Sequence, residues 1–207
     1  MRTISIIGPG NMARLIGAKA VAGGNTVEIS GRDAAKAAAL AKALGASATA
    51  GTFGAVPAGD IVLLAVKYAA CVPVVTQYGE ALAGKIIVDM SNDPDPGGTG
   101  LATPEGTSAA QDIAKAAPAS AHVVKAFNAV FGNALAQDRR LDVLIAGDDA
   151  PAKGSVSAFI SSLGLRPLDA GPLAMARWLE GTGLVMVGLG RHGVGNFNFS
   201  LDVNIPG

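Results

Sequence analysis

The segment IIGPGNMA, from Ile6 to Ala13, decides how the rest of the chain is read. Gly8, Gly10 and Ala13 keep a G-x-G-x-x-A spacing directly after the apolar run TISIIG at 3–8, and they open an alanine-containing stretch at 11–22. In a strand-to-helix turn the first glycine permits the tight bend and the second lets the backbone approach a pyrophosphate. The small third residue lets the helix pack on the strand, so that the helix's amino-terminal N–H groups face the phosphates. Asn11 and Met12 lie within the same turn and are counted with it as nucleotide-binding residues. A second strand at 26–30, TVEIS, completes a unit of about 30 residues, the context in which this motif reads as a dinucleotide site.

The next segment, VEISGRDAAK at 27–36, selects between two dinucleotides. The acid that would hold a ribose hydroxyl belongs at or just past the end of the second strand. Glu28 lies within the strand, Ser30 ends it and Gly31 follows. Arg32 offers a planar fork to a phosphate, with Ser30 as a hydroxyl donor and Lys36 as a second charge one turn into the next helix. The segment therefore predicts NADP(H) rather than NAD(H), the alternative being that Arg32 and Lys36 are merely solvated.

Outward from this unit, short β-rich runs alternate with alanine-rich helical segments, the pattern of a mostly parallel sheet covered on both faces. Strands are predicted at 3–8, 26–30, 61–66, 85–90, 122–127 and 142–147. Helices are predicted at 11–22, at 33–44 with Asp33 as cap, from Thr107 or Ser108 onward, near 151–163, and from Pro172 to about 190. The expected fold is α/β, a Rossmann-type doubly wound sheet with a small carboxyl-terminal helical extension. The division expected is a nucleotide-binding domain over 1–165 and a small portion over 166–207 that completes the substrate crevice and a dimer interface. In such a sheet ligands bind outside the strands' carboxyl ends. That places Ser91, Asn92 and Asn128 at the crevice, with the Gly- and Pro-rich loop 91–107 and the segment Asp169 to Pro172 beside it. Asn128 is the candidate catalytic side chain, or else a structural amide holding a turn.

Composition narrows the partners. Sixteen Lys plus Arg balance sixteen Asp plus Glu, so nothing general attracts nucleic acid or an anionic membrane. The longest aliphatic runs are too short to span a bilayer, and the first residues lack the features of a signal peptide, so a cytoplasmic location is expected. One cysteine, Cys71, makes neither an internal disulfide nor a thiolate metal site and is expected in the core. His122 and His192 have no carboxylate at ligand spacing, and no metal is expected.

The segments IIGPGNMA, SGRDAAK, LLAVKY, GTSAAQDIAKAAP, VVKAFNAVFG, AGDD and LGLRPLDAGPLAMARWLE together resemble, in order, the coenzyme F-420-dependent NADP oxidoreductases. The resemblance spans nearly the whole chain, and its last block is far more specific than the glycine motif. It implies a homodimer and direct hydride transfer between NADP(H) and a deazaflavin held face to face. It also puts Ser30, Arg32 and Lys36 on the 2′-phosphate, and Ala65, Val66 and Lys67 at a strand end beside the cofactor. Lys67 stands where archaeal members carry proline, and Asn128 where they carry a histidine near the deazaflavin.

Hydride exchange between stacked rings needs positioning more than side-chain chemistry. This agrees with a sequence that shows no Ser-His-Asp or Cys-His constellation. Three alternatives stand beside this reading. The motif GPGNMA also resembles pyrroline-5-carboxylate reductases, which need a longer helical domain than residues 166–207 supply. An NADPH-dependent flavin or ferric reductase is a nearer alternative, and a non-catalytic NADP(H) sensor is the third.

Overall fold

The computed structural model describes residues 2–137 and 139–204. Eight strands form one sheet: β1 (Thr3–Ile7), β2 (Thr26–Ser30), β3 (Ala48–Ala50), β4 (Ile61–Leu64), β5 (Ile86–Asp89), β6 (His122–Lys125), β7 (Asp142–Gly147) and β8 (Arg166–Asp169). Their order is β3-β2-β1-β4-β5-β6-β7-β8, and every neighbouring pair is parallel except β6 with β7. The helices are α1 (Asn11–Ala22), α2 (Ala34–Leu44), α3 (Tyr68–Tyr78), α4 (Ala109–Ala116), α5 (Gly132–Leu135), α6 (Ala150–Ser162) and α7 (Ala176–Arg191). This is the Rossmann-type α/β fold the sequence predicts, closed by a carboxyl-terminal helix.

Strand β4 shows why the inner runs are apolar without alternation. Ile61 and Leu63 pack into the core on the face of α1, α2 and α6, whereas Val62 and Leu64 pack on the opposite face beside α3 and α4. All four are buried, as in parallel strands covered on both sides. The starts of α2, α4 and α6 follow side-chain caps. Asp33 accepts from Lys36 N at 3.0 Å, Ser108 from Gln111 N at 3.2 Å and Asp149 from Ala152 N at 2.7 Å, each satisfying an orphan donor of the first turn.

The strands end one or two residues earlier than predicted where the backbone leaves extended geometry, at Gly8 (φ 108°) and Phe127 (φ 63°). Strand β8 was not predicted at all. It carries Pro167, which a sheet tolerates at an edge, and β8 is the edge beyond β7. Because β7 and β8 run against the other six strands, Asp169 to Pro172 lies at the edge opposite the crevice, where Lys153 meets Asp169 and Leu173 N donates to Asp148. The expectation that this segment borders the crevice is corrected by that reversal. Among the described residues, no helix is long and apolar enough to cross a membrane.

Candidate active site

The first turn closes through backbone fit. Gly8 has φ 108°, and a Cβ there would lie 2.5 Å from the Ala65 carbonyl oxygen, so β1 and β4 pinch the turn to glycine's dimensions. Gly31 is fixed by its neighbour across the turn, since a Cβ would sit 2.6 Å from Pro9 Cδ. Gly10 precedes α1, no side chain caps that helix end, and its first N–H groups are directed at the crevice mouth. A cleft of about 630 Å³ opens there, bounded by Gly8, Gly10, Arg32, Lys36, Phe53 and Lys67. Glycine-lined backbone, an uncapped helix start and two cations at one end suit the pyrophosphate and 2′-phosphate of NADP(H).

Not every predicted residue reaches that cleft. Arg32 and Lys36 are exposed on its wall, Lys36 pairing with Asp33 at 3.4 Å. Ser30 is 5% exposed and its hydroxyl is bonded to the Tyr78 hydroxyl at 3.1 Å, below the crevice rather than in it. Glu28 is engaged elsewhere. Its carboxylate accepts from Ser5 Oγ at 2.7 Å and from Ala58 N at 3.0 Å, holding the loop before β4 against β1. Asn11 accepts from Arg14, Met12 lies against Gly132 at the start of α5, and Ala13 is buried where α1 meets the sheet.

A second cleft, of about 440 Å³, shares Val66 and Lys67 with the first and continues over the ends of β4 and β5 to Ser91, Asn92 and Asp93. Its floor is a pair of amides. Asn92 Nδ2 donates to the Asn128 carbonyl at 2.7 Å, and Asn128 Nδ2 donates to Asn92 Oδ1 at 3.0 Å and to the Leu179 carbonyl at 2.6 Å. A Cβ on Gly183 of α7 would fall 2.5 Å from Asn92 Oδ1, so this glycine makes room for the pair. Asn128 is thereby buried behind Asn92. The left-handed Phe127 that aims it is a non-glycine residue in a conformation costing about 1–3 kcal/mol, of the kind that collects at functional sites.

Beneath this floor lies a buried ionic group absent from the sequence reading. Lys125 Nζ donates to Asp89 Oδ2 at 2.7 Å, to Glu180 Oε1 at 2.8 Å and to the Ser91 carbonyl at 2.6 Å, with all three charged side chains fully enclosed. Glu180 also accepts from the N–H groups of Ala109 and Ala110, at 3.1 and 3.3 Å, at the start of α4. Burial alone would lower the Lys125 pKa. The two carboxylates outweigh it and hold the ammonium above its usual range. Burial pushes the Glu180 carboxyl up, against the pull of Lys125. The group joins β5, β6, α4 and α7 and fixes the Ser91 carbonyl under the cleft.

Cys71 is in the core as expected, its thiol pushed up to about 12, first by burial and then by Asp89. His122 stands 3.8 Å from Asp149 at the opposite edge of the sheet. Among the described residues, no three metal-ligating side chains gather.

Comparison with known proteins follows this geometry. Residues 3–93 match the family of coenzyme F420-dependent NADP oxidoreductases. A protein of Arthrobacter sp. FB24, provisionally named an F420-dependent NADP-reductase, superposes with a TM-score of 0.81 at 27% identity, over 98% of this chain and 100% of that one. The chain belongs to this family. Hypothetical protein SMa0349 of Sinorhizobium meliloti is 30% identical, with a TM-score of 0.75 over 86% of this chain and 88% of that one. Rat metalloreductase STEAP3 is 33% identical over 185 residues, and the chain spans 35% of that protein's length. Family membership places the chain among the NADP-dependent oxidoreductases.

Proposed function

We propose that this chain exchanges a hydride between NADP(H) and the deazaflavin ring of coenzyme F-420. The observation that carries this reading is the pair of adjoining clefts that share Val66 and Lys67, on a chain alike from end to end to the Arthrobacter protein. When bound, the nicotinamide supplies the hydride and the deazaflavin a carbon that accepts it. The chain's own residues bind and orient. Gly8, Gly10 and the start of α1 hold the pyrophosphate, while Arg32 and Lys36 hold the 2′-phosphate. Ser30 supports that turn through Tyr78. Ala65, Val66 and Lys67 on one side, with Ser91 and Asn92 on the other, wall the reacting rings. Asn128 acts through Asn92 and is a positioning residue.

The expected result is label transfer. NADPH deuterated on one face of its transferable carbon should pass deuterium to the ring carbon of coenzyme F-420 without washout, because a carbon-bound hydrogen does not exchange with water. The likeness to a metalloreductase favours a second reading, in which NADPH reduces a flavin or, through it, ferric ion. Turnover with free flavin or ferric chelate alone would select that reading. Bound NADPH with no turnover on any acceptor would leave a nucleotide sensor.

The same reading includes a homodimer in the cytoplasm, with residues 166–207 forming the interface. Gly183 and Gly190 pack inside the chain, against Asn92 and Phe197, but nothing lies within 4 Å of a Cβ on Gly181 or Gly188. These open positions share a face of α7 with Trp178, Val185 and Leu189, which are 67%, 63% and 44% exposed. Such an apolar helix face suits a second copy. Light scattering at micromolar concentration should give a dimer for the wild type and a monomer for Val185→Asp. A wild-type monomer would sink the assignment.

A further inference from the structure

We propose that Tyr68 donates the proton that accompanies hydride transfer, and that the 440 Å³ cleft over the ends of β4 and β5 is the acceptor's seat. This rests on the reading of the crevice as a hydride-transfer site and deepens it. Reduction of a deazaflavin or flavin ring adds a hydride at one atom and a proton at a nitrogen. Positioning alone supplies only the first.

The cleft has two unlike walls. On one side are Lys67 and Tyr68, the cap and first residue of α3; on the other are Ser91, Asn92 and Asp93. Tyr68 opens α3 and is half-buried, and among the described residues its hydroxyl makes no hydrogen bond. A phenol on the wall of a cleft, with its hydroxyl not engaged by the protein, can donate to a molecule seated there. The facing wall is polar as well. Ser91 Oγ and Asp93 Oδ1 are buried there without a partner, although Asp93 Oδ2 accepts from Thr103 N at 2.9 Å. Both atoms lie closed off from solvent beneath residues that line the cleft, so the wall facing Tyr68 is backed by polar groups.

The charged surroundings keep the phenol protonated. Burial raises its pKa first, and the carboxylates of Asp112, Asp93 and Glu180 with the Cys71 thiol add to it. The Lys67 ammonium, one residue earlier and exposed, is the opposing charge. At neutral pH the hydroxyl therefore carries its proton, as a general acid must.

The step balances. The C4–H bond of NADPH breaks with its electron pair, and the hydride forms a C–H bond at the central-ring carbon of a deazaflavin or an N–H bond at the corresponding nitrogen of a flavin. The O–H bond of Tyr68 breaks, an N–H bond forms on the same ring, and the phenolate recovers a proton from water. NADPH is oxidised and the ring is reduced by two electrons.

Tyr68→Phe removes the donor and keeps the ring. With coenzyme F-420 or FMN as acceptor, kcat should fall about 100-fold or more, while NADPH affinity by calorimetry should stay within about twofold. A second readout needs no turnover. The chain has two tyrosines, so the ultraviolet titration of wild type minus Tyr68→Phe isolates one phenol. That phenol should ionise above the ordinary tyrosine range of about 10, and its titration should move when F-420 or FMN saturates the protein. An unchanged kcat in Tyr68→Phe, or a titration that neither acceptor moves, would overturn the proposal. So would a parallel loss of NADPH affinity, which marks a packing role. Should the wild type itself reduce neither ring with NADPH, the functional reading fails and takes this proposal with it. Transfer by both wild type and variant at the same rate removes Tyr68 alone.

Discussion

Lys125→Met is expected to cost about 3–5 kcal/mol of stability, because it leaves two buried carboxylates facing each other with no cation between them. For a chain of this length that corresponds to a midpoint lower by roughly 6–20 °C, readable by calorimetry or by denaturant titration. The sign of the pH dependence is part of the prediction. In the wild type the folded-state pKa of Lys125 is raised above its unfolded value, so its contribution is fully present below pH of about 10.4 and lost as pH rises through the folded value. In the variant the dependence moves to the acid side. Glu180, pushed up by burial, then loses the pull of Lys125 and takes up a proton more readily, so the deficit should shrink as pH falls from 7 toward 5. A variant that is equally impaired at both pH values, or unimpaired at either, would show that the three side chains do not form one electrostatic unit.

Arg32→Ala is expected to weaken NADPH binding roughly 10- to 100-fold, the loss of one charged hydrogen bond of about 1.5–3 kcal/mol, and to leave NADH almost unchanged. The argument is positional. Pro9 occupies the space a side chain would need at Gly31, and Glu28 is committed to Ser5 and Ala58. The cations bordering that end of the cleft are Arg32 and Lys36. Calorimetric titrations with both nucleotides decide the matter. Equal losses for the two would detach Arg32 from the 2′-phosphate.

How far the sequence alone reached depended on whether a feature was local. The turn at Gly8, the caps at Asp33 and Ser108 and the apolar runs of β1, β2 and β4 to β7 are set by neighbours in the chain, and the structure places them as read, whereas β3, three largely exposed residues at the sheet's other edge, carries no apolar run and was not predicted. Helix α3 is not among the predicted helices; it carries Pro73, and helix geometry holds on both sides of that residue. Strand β8 was hidden by Pro167, and its direction by the single antiparallel junction beside β6. The buried ionic group could not be read, because a lysine in HVVKAF looks like an exposed strand residue. Its partners, Asp89 and Glu180, lie 36 and 55 positions away. Ser30 shows the same limit in reverse. The pattern marks it correctly as the end of β2, yet Tyr78, 48 residues on, claims its hydroxyl.

The reversal of β7 and β8 also sets the route by which the chain leaves the sheet. Had β8 run with the first six strands, α7 would start at the crevice and point away from it. Instead α7 begins near Asp148 at the far edge and climbs toward the nucleotide edge, where Gly183 meets Asn92 and Arg191 meets Gly98. The segment after it stays on that side, with Val203 N bonded to Asp142 at the start of β7. Topology thus acts as a docking port. A module joined on the carboxyl-terminal side of Val203 would be delivered to the edge that carries both clefts, whereas one joined on the amino-terminal side of β1 would emerge at the opposite edge, a strand's length away.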